Sequence, residues 1–250
     1  MEQLKQLRHA SRMSQPTPTG TPDKRPDQVR EMFGRIAGRY DLMNRVMSGG
    51  RDGHWRRLAA ESAEPRSARI LDIGSGTGDL AREVQRQGTA TVVAADFTRP
   101  MLLSARVKQR TGPQPDWLQA DAVHLPFADA TFDGVTSGFL LRNLVDLEAG
   151  LAEMLRVLVP GGLLVALDIT HPPPGLYGSA LRFGFERVVT PIAGLLSGDR
   201  AAYRYLPHSL SGYPDADSLT ALLSTLGAAD AGYRRLGGGA VALHVARKPS

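Results

Sequence analysis

Four short apolar runs punctuate the middle of the chain: RILDI (69–73), TVVAAD (91–96), DGVTSGF (133–139) and LLVALDI (163–169). Each is followed by a glycine, proline or polar break and then by a stretch with helical spacing. Runs that are apolar at nearly every position, instead of every second one, belong to strands covered on both faces, and their alternation with helices predicts a parallel sheet. Near the C-terminal end GYRRL (232–236) and AVALHVARK (240–248) flank consecutive glycines, a hairpin signal that adds an antiparallel edge strand. Upstream, Val29, Met32, Phe33 and Ile36 fall at helical spacing with Asp27 as the cap, and a second helix holding Trp55 and Leu58 is predicted from Asp52. The expected fold is α/β, a doubly wound sandwich with a helical N-terminal extension.

Two stretches break the rhythm. Residues 14–26, SQPTPTGTPDKRP, are too rich in Pro, Ser and Thr to bury a core, so 1–26 reads as a flexible basic arm and linker. The domain is expected over 27–250, with 27–66 as its N-terminal helices. Between Ile169 and Asp215 the chain is too long for a simple connection, and 171–213 is expected to be an insertion with structure of its own. Within it Tyr177, Leu181, Phe185, Val188, Ile192 and Leu195 recur three and four apart. Such a helical face either lines a pocket for a lipid-like substrate or is ordinary core.

Composition narrows the class. At 250 residues, 42% of them hydrophobic and 22% charged, the chain fits one sizeable globular domain. No apolar run approaches the about 18 residues of a membrane span, and the N-terminus lacks the apolar core of a secretory signal. With no cysteine there is neither a disulfide nor a thiolate metal site, and a cytoplasmic enzyme is the default. The six histidines show no ligand spacing, so no metal is expected. Residues 1–66 hold 13 Lys and Arg against 8 Asp and Glu, while 67–250 hold 17 of each, so the whole excess of +5 is N-terminal. That segment is either a solvated arm or a contact with an anionic surface, nucleic acid or membrane. The neutral remainder, without a motif for a flipped base, argues against a nucleic-acid substrate.

LDIGSGTGDL (71–80) places Gly74, Gly76 and Gly78 where the first strand turns into a helix, a loop that lets backbone approach a ligand closely. The dinucleotide fingerprint asks for glycine at position 79, but Asp79 stands there, with Asp72 on the strand end. Two carboxylates repel a pyrophosphate and suit a ligand carrying an ammonium and a sulfonium, as S-adenosylmethionine does. Asp96 ends the second strand, where it can accept from two ribose hydroxyls. Asp121 and the Ala122 backbone follow a third strand, in position to bond an adenine. Each acidic residue taken singly is equally well a helix cap.

These motifs, with DAVHLPFADATFDGVT (121–136) and EMLRVLVPGGLLVALDI (153–169), resemble the class I S-adenosylmethionine-dependent methyltransferases. VREMFGRIAGRYDLMNRVMSGGRDGHWRR (29–57), FLLRN (139–143) and YRYLPHSLSGYP (203–214) more selectively resemble the C-methyltransferases of ubiquinone and menaquinone biosynthesis, from about Gln28 onward. The resemblance implies a Rossmann-like, mostly parallel seven-stranded sheet with a helical insertion after strand 5, and methyl transfer to a ring carbon of a polyprenylated benzoquinol or naphthoquinol. It implies cofactor contacts at Thr77, Asp96, Asp121 and Ala122, and at Gly138 near the methionine end. Peripheral membrane contact at the inner face and a homodimer are compatible with it. One position departs: the family reads Phe-Gly-Leu-Arg-Asn where this chain has Leu140 as the second residue.

The stretch TSGFLLRNL (136–144) sets Arg142 and Asn143 inside an apolar run, which is costly without a partner or a purpose. Carbon methylation needs a quinol hydroxyl to lose its proton, and a phenolic pKa near 10 opposes this by about 4 kcal/mol at pH 7. Arg142, oriented by Asn143, is the candidate cation for the developing phenolate; its alternative is an ion pair with Asp41 or Asp146. Water, His124, Tyr40 or Asp41 is left as the proton acceptor, while Tyr40, Asp41 and Asn44 alternatively pin the N-terminal helices. Two other functions stay open: a methyltransferase for another aromatic or polyketide acceptor, favoured by Leu140, and a protein that binds the cofactor without turnover.

Overall fold

The computed structural model describes residues 26–64, 68–88, 91–108, 113–184, 187, 209–210 and 212–250. The arm before residue 26 and most of the expected insertion lie outside them. Strands β1 (Arg69–Ile73), β2 (Thr91–Asp96), β3 (Asp116–Gln119), β4 (Phe132–Gly138), β5 (Leu158–Ile169), β6 (Ala229–Leu236) and β7 (Val241–Arg247) form one sheet in the order β3-β2-β1-β4-β5-β7-β6. β1 pairs in parallel with β2 and β4, β2 with β3, and β4 with β5, while β7 runs antiparallel to both neighbours.

The C-terminal hairpin is present, but its antiparallel strand is not the edge. β7 is inserted between β5 and β6, and the burial patterns give the reason. VALHVAR is buried at five of its seven positions, whereas no residue of ADAGYRRL is fully buried. The strand that can be covered on both faces takes the inner place. β5 also begins five residues ahead of its apolar run, at Leu158, and passes Pro160, Gly161 and Gly162 by a register shift opposite Phe132 and Gly134.

Among the described residues the α-helices are α1 (Pro26–Ile36), α2 (Tyr40–Met47), α3 (Asp52–Ser62), α4 (Asp79–Gln87), α5 (Arg99–Lys108), α6 (Leu147–Val157), α7 (Leu176–Gly184) and α8 (Ala216–Thr225). Asp27 is not the cap of α1: it stands inside the first turn behind Pro26, paired with Arg30 at 2.5 Å. Asp146 and Asp215 do cap, accepting from Ala149 N at 2.9 Å and Ser218 N at 2.8 Å.

Alternate strand residues divide the core in two. Ile70, Val165 and Leu167 pack with Trp55, Ala59 and Ala60 of α3 and Leu80 and Val84 of α4. Leu71, Ile73, Val135 and Leu164 face Leu151, Met154 and Leu155 of α6 and Leu219 and Leu223 of α8. A third cluster, Met32, Ile36 and Met43 with Phe33, Tyr40 and Met47, belongs to the N-terminal helices. Of the apolar stripe in the insertion, Tyr177 and Leu181 are on α7; Phe185, Val188, Ile192 and Leu195 fall outside the described residues. Among the described residues no helix is long and apolar enough to cross a membrane.

Candidate active site

The sheet reverses direction of winding between β1 and β4, and the loops beyond their carboxyl ends frame a cleft. Its walls bound about 910 Å³ of space, the solvent at its open mouth included. Gly74, Gly76 and Gly78 adopt φ of 67°, 56° and 81°, the left-handed region that costs other residues energy. At Gly78 space is excluded as well, since an added Cβ would lie 2.3 Å from the Trp117 ring. Asp96 fastens this loop: one carboxylate oxygen accepts from Gly76 N at 2.8 Å, the other from Thr98 N at 2.7 Å. Burial raises its pKa, and these backbone donors pull the other way. Each oxygen keeps a second lone pair, so Asp96, which lines the cleft, can still accept from a ligand hydroxyl.

Asp121, Ala122 and Gly138 line the same cleft. Asp121 shapes its own turn, its Oδ1 accepting from Val123 N at 3.1 Å. Phe97, Met101 and Val123 add an apolar slot beside it, and Val29, Phe33 and Tyr40 close the side contributed by the N-terminal helices. The donor set fits an adenosine carrying no phosphate: one carboxylate for hydroxyls, apolar walls for a base, glycines at the point of closest approach.

Other expected contacts are placed differently. Asp72 is fully buried, accepts from Thr136 Oγ1 at 2.8 Å, and does not line the cleft. Its second oxygen has no hydrogen-bond partner, and burial pushes its pKa up to about 7. The Thr77 hydroxyl donates to Asp41 at 2.5 Å. Lys108 bonds that same Asp41 at 2.5 Å and also Asp79, which Arg82 meets at 3.2 Å. Burial acts to raise the Asp79 pKa, but these cations hold it below the ordinary value. Of the two carboxylates that argued for a cationic ligand, Asp79 is therefore balanced within the chain, by a lysine 29 residues away that local reading does not connect.

Arg142 is buried and paired with Asp168, not with Asp41 or Asp146. Burial lowers its pKa and the Asp168 charge more than restores it. Its Nη1 also donates to the Phe139 carbonyl at 3.0 Å, as does Asn143 Nδ2 at 3.0 Å. Phe139 has φ 61°, a strained conformation for a bulky residue that costs about 1–3 kcal/mol. Asn143 and Leu140 line the cleft, whereas the Arg142 side chain stands behind them. The Leu140 side chain fills the place a Cβ on Gly74 would take, 2.8 Å from it. Tyr40 lies over Gly76, with its pKa raised by burial against the opposing charge of Arg142. His124 is exposed and outside the cleft. Asp168, Lys108 and Trp117 were missed; Asp168 carried a readable signal, a lone carboxylate in an apolar strand that matches the lone arginine in TSGFLLRNL.

Among the described residues no three acidic or histidine side chains converge as a metal site. The family model of the ubiE/COQ5 methyltransferase family matches residues 21–248. A demethylmenaquinone methyltransferase of Thermus thermophilus is 46% identical over 87% of this chain and 100% of its own length. A ubiquinone/menaquinone biosynthesis C-methyltransferase of Desulfotalea psychrophila is 41% identical over 86% of this chain and 88% of its own. Among solved structures, an S-adenosylmethionine-dependent methyltransferase of Thermotoga maritima superposes with a TM-score of 0.63 at 17% identity, covering 88% of this chain and 99% of that one.

Proposed function

The chain belongs to the ubiE/COQ5 methyltransferase family, and from that premise we propose that its acceptor is a demethylmenaquinol, methylated at a ring carbon. It is an S-adenosylmethionine-dependent C-methyltransferase of quinone biosynthesis. The observation that carries the choice of acceptor is the 46% identity to a demethylmenaquinone methyltransferase whose whole length is matched.

The cofactor supplies an electrophilic methyl group on a positively charged sulfur. In this chain Asp96 is the acceptor for its ribose hydroxyls, Asp121 and Ala122 flank the base, and Gly74, Gly76 and Gly138 give it close backbone approach. Thr77 and Asp72 act indirectly, through Asp41 and Thr136. On the acceptor side Asn143 is the polar group lining the cleft, and Arg142 works from behind it. With Asp168 beside it the guanidinium is half of a neutral pair, so its pull on a phenolate is reduced and its hold on the turn is the larger contribution. Tyr40, pushed above the ordinary tyrosine value, is no base at neutral pH, and Asp41 is engaged by Lys108 and Thr77. Water is then the proton acceptor, taking one proton for each methyl delivered.

Exposed Leu176, Tyr177 and Phe183 on α7 support contact with a lipid-like substrate on that side. The test incubates the protein with labelled cofactor and chemically reduced demethylmenaquinol or a demethylated benzoquinol. Label in the naphthoquinol product is expected. Label confined to the benzoquinol, or to neither, refutes the choice of acceptor.

A further inference from the structure

The turn after β4 is held by a carboxylate from the neighbouring strand. Gly138 pairs with Leu167, so Asp168 lies at the level of Phe139. Asp168 is almost fully buried; one oxygen accepts from Ile169 N at 2.8 Å and from Arg142 Nη1, the other from Arg142 N at 3.3 Å. The anchored guanidinium bonds the Phe139 carbonyl, and the Phe139 N–H donates to Leu167 O at 2.7 Å. Every polar group of residue 139 is thereby committed, at a φ that phenylalanine does not choose by itself. The next side chain, Leu140, is what this conformation drives onto Gly74 of the cofactor loop.

We propose that Asp168 is a positioning residue for methyl transfer: it holds Arg142 on the Phe139 carbonyl, and that clamp keeps the left-handed turn which seats Leu140 against Gly74 and presents Asn143 to the cleft. The inference rests on the methyltransferase reading but concerns the shape of the site, not the identity of the acceptor. Asp168 touches neither the cleft nor a reacting atom. Without its charge the guanidinium is released, residue 139 relaxes toward extended backbone, and the wall formed by Leu140 and Asn143 moves away from the glycine loop.

Glycine adopts a positive φ without help, so the clamp should matter less where Phe139 is replaced. The experiment measures kcat, acceptor KM and amide hydrogen exchange for Asp168→Asn in the native background and in a Phe139→Gly background. A shift of about an ångström at a reacting centre costs about 10- to 100-fold, so a loss of that size in kcat is expected in the native background. In the glycine background the same substitution should cost less than about 5-fold, the non-additivity of two residues in one network. Asp168→Glu, which keeps the charge but lengthens the arm, should show a smaller loss, relieved in the same way; it serves in place of Asp168→Asn if the latter does not fold. Equal losses in both backgrounds, or no loss in either, overturn the proposal. Exchange at the 139 amide reads the turn without any turnover: faster exchange in Asp168→Asn supports it and unchanged exchange overturns it, even if demethylmenaquinol proves the wrong acceptor.

Discussion

Replacing Asp72 by asparagine should remove a pH dependence from the stability of this fold. The folded carboxyl titrates at about 7 because burial disfavours its charge, while the unfolded one has the ordinary value of 3.8. Between those values the folded chain keeps a proton that the unfolded chain has lost, so native stability falls as pH rises, by about 1.4 kcal/mol per unit. The full contribution is present below about pH 4 and gone above about pH 7. Across that window one group costs roughly 4 kcal/mol, an order-of-magnitude figure. In Asp72→Asn the slope is absent, because the amide never ionises and its oxygen can still accept from Thr136 Oγ1. Urea denaturation of both proteins at half-unit steps from pH 4 to pH 8, without cofactor, should give curves that diverge up to about pH 7 and run parallel above it, the variant gaining relative to the native protein. Parallel curves over that range would refute the reasoning, since they would mean that Asp72 is ionised in the fold at every pH tested.

Asp96→Ala should weaken cofactor binding about 30- to 100-fold in calorimetry, the value of one or two hydrogen bonds to a charged group, because it removes both a ligand acceptor and the anchor of Gly76 N. A change under threefold would show that Asp96 only holds the loop. Lys108→Met should lower unfolding free energy by about 1 kcal/mol or less, since its pairs with Asp41 and Asp79 are partly exposed, and the difference should shrink in 1 M salt. A salt-independent loss would mean that the methylene stem, not the charge, is what α5 contributes there.

The parts legible in the sequence were those with short-range signatures. β1, β2 and β4 announced themselves within one residue because both faces of the sheet are covered and each run is continuously apolar. The glycine loop, Asp96, Asp121 and Ala122 were readable because each follows a strand end, and strand ends converge on one edge of a parallel sheet. What could not be read was who meets whom. The partner of Arg142 is 26 residues away and the partners of Lys108 are 29 and 67 away, distances at which spacing carries no information. The place of β7 inside the sheet likewise depends on a comparison of two strands, and the start of β5 was hidden by Pro160, Gly161 and Gly162, which read locally as a turn. Asp79 misled for the same reason: its charge was visible and its counter-ions were not.

The inner position of β7 has a consequence for the order in which the protein is built. β5 emerges long before the strand that covers its open side. Until Val241–Arg247 arrive, the longest and most apolar strand of the sheet presents a bare edge, the kind of surface on which chains pair with one another. Closing so long a loop adds little entropy per residue but makes the pairing strongly non-local, the kind of contact that slows folding. Lys248 then seals it, its backbone N–H bonding Gly162 O at 2.9 Å and its ammonium bonding Leu158 O at 2.7 Å. Trimming this strand would therefore do more than fray an end: it would leave the molecule halted at its most adhesive stage.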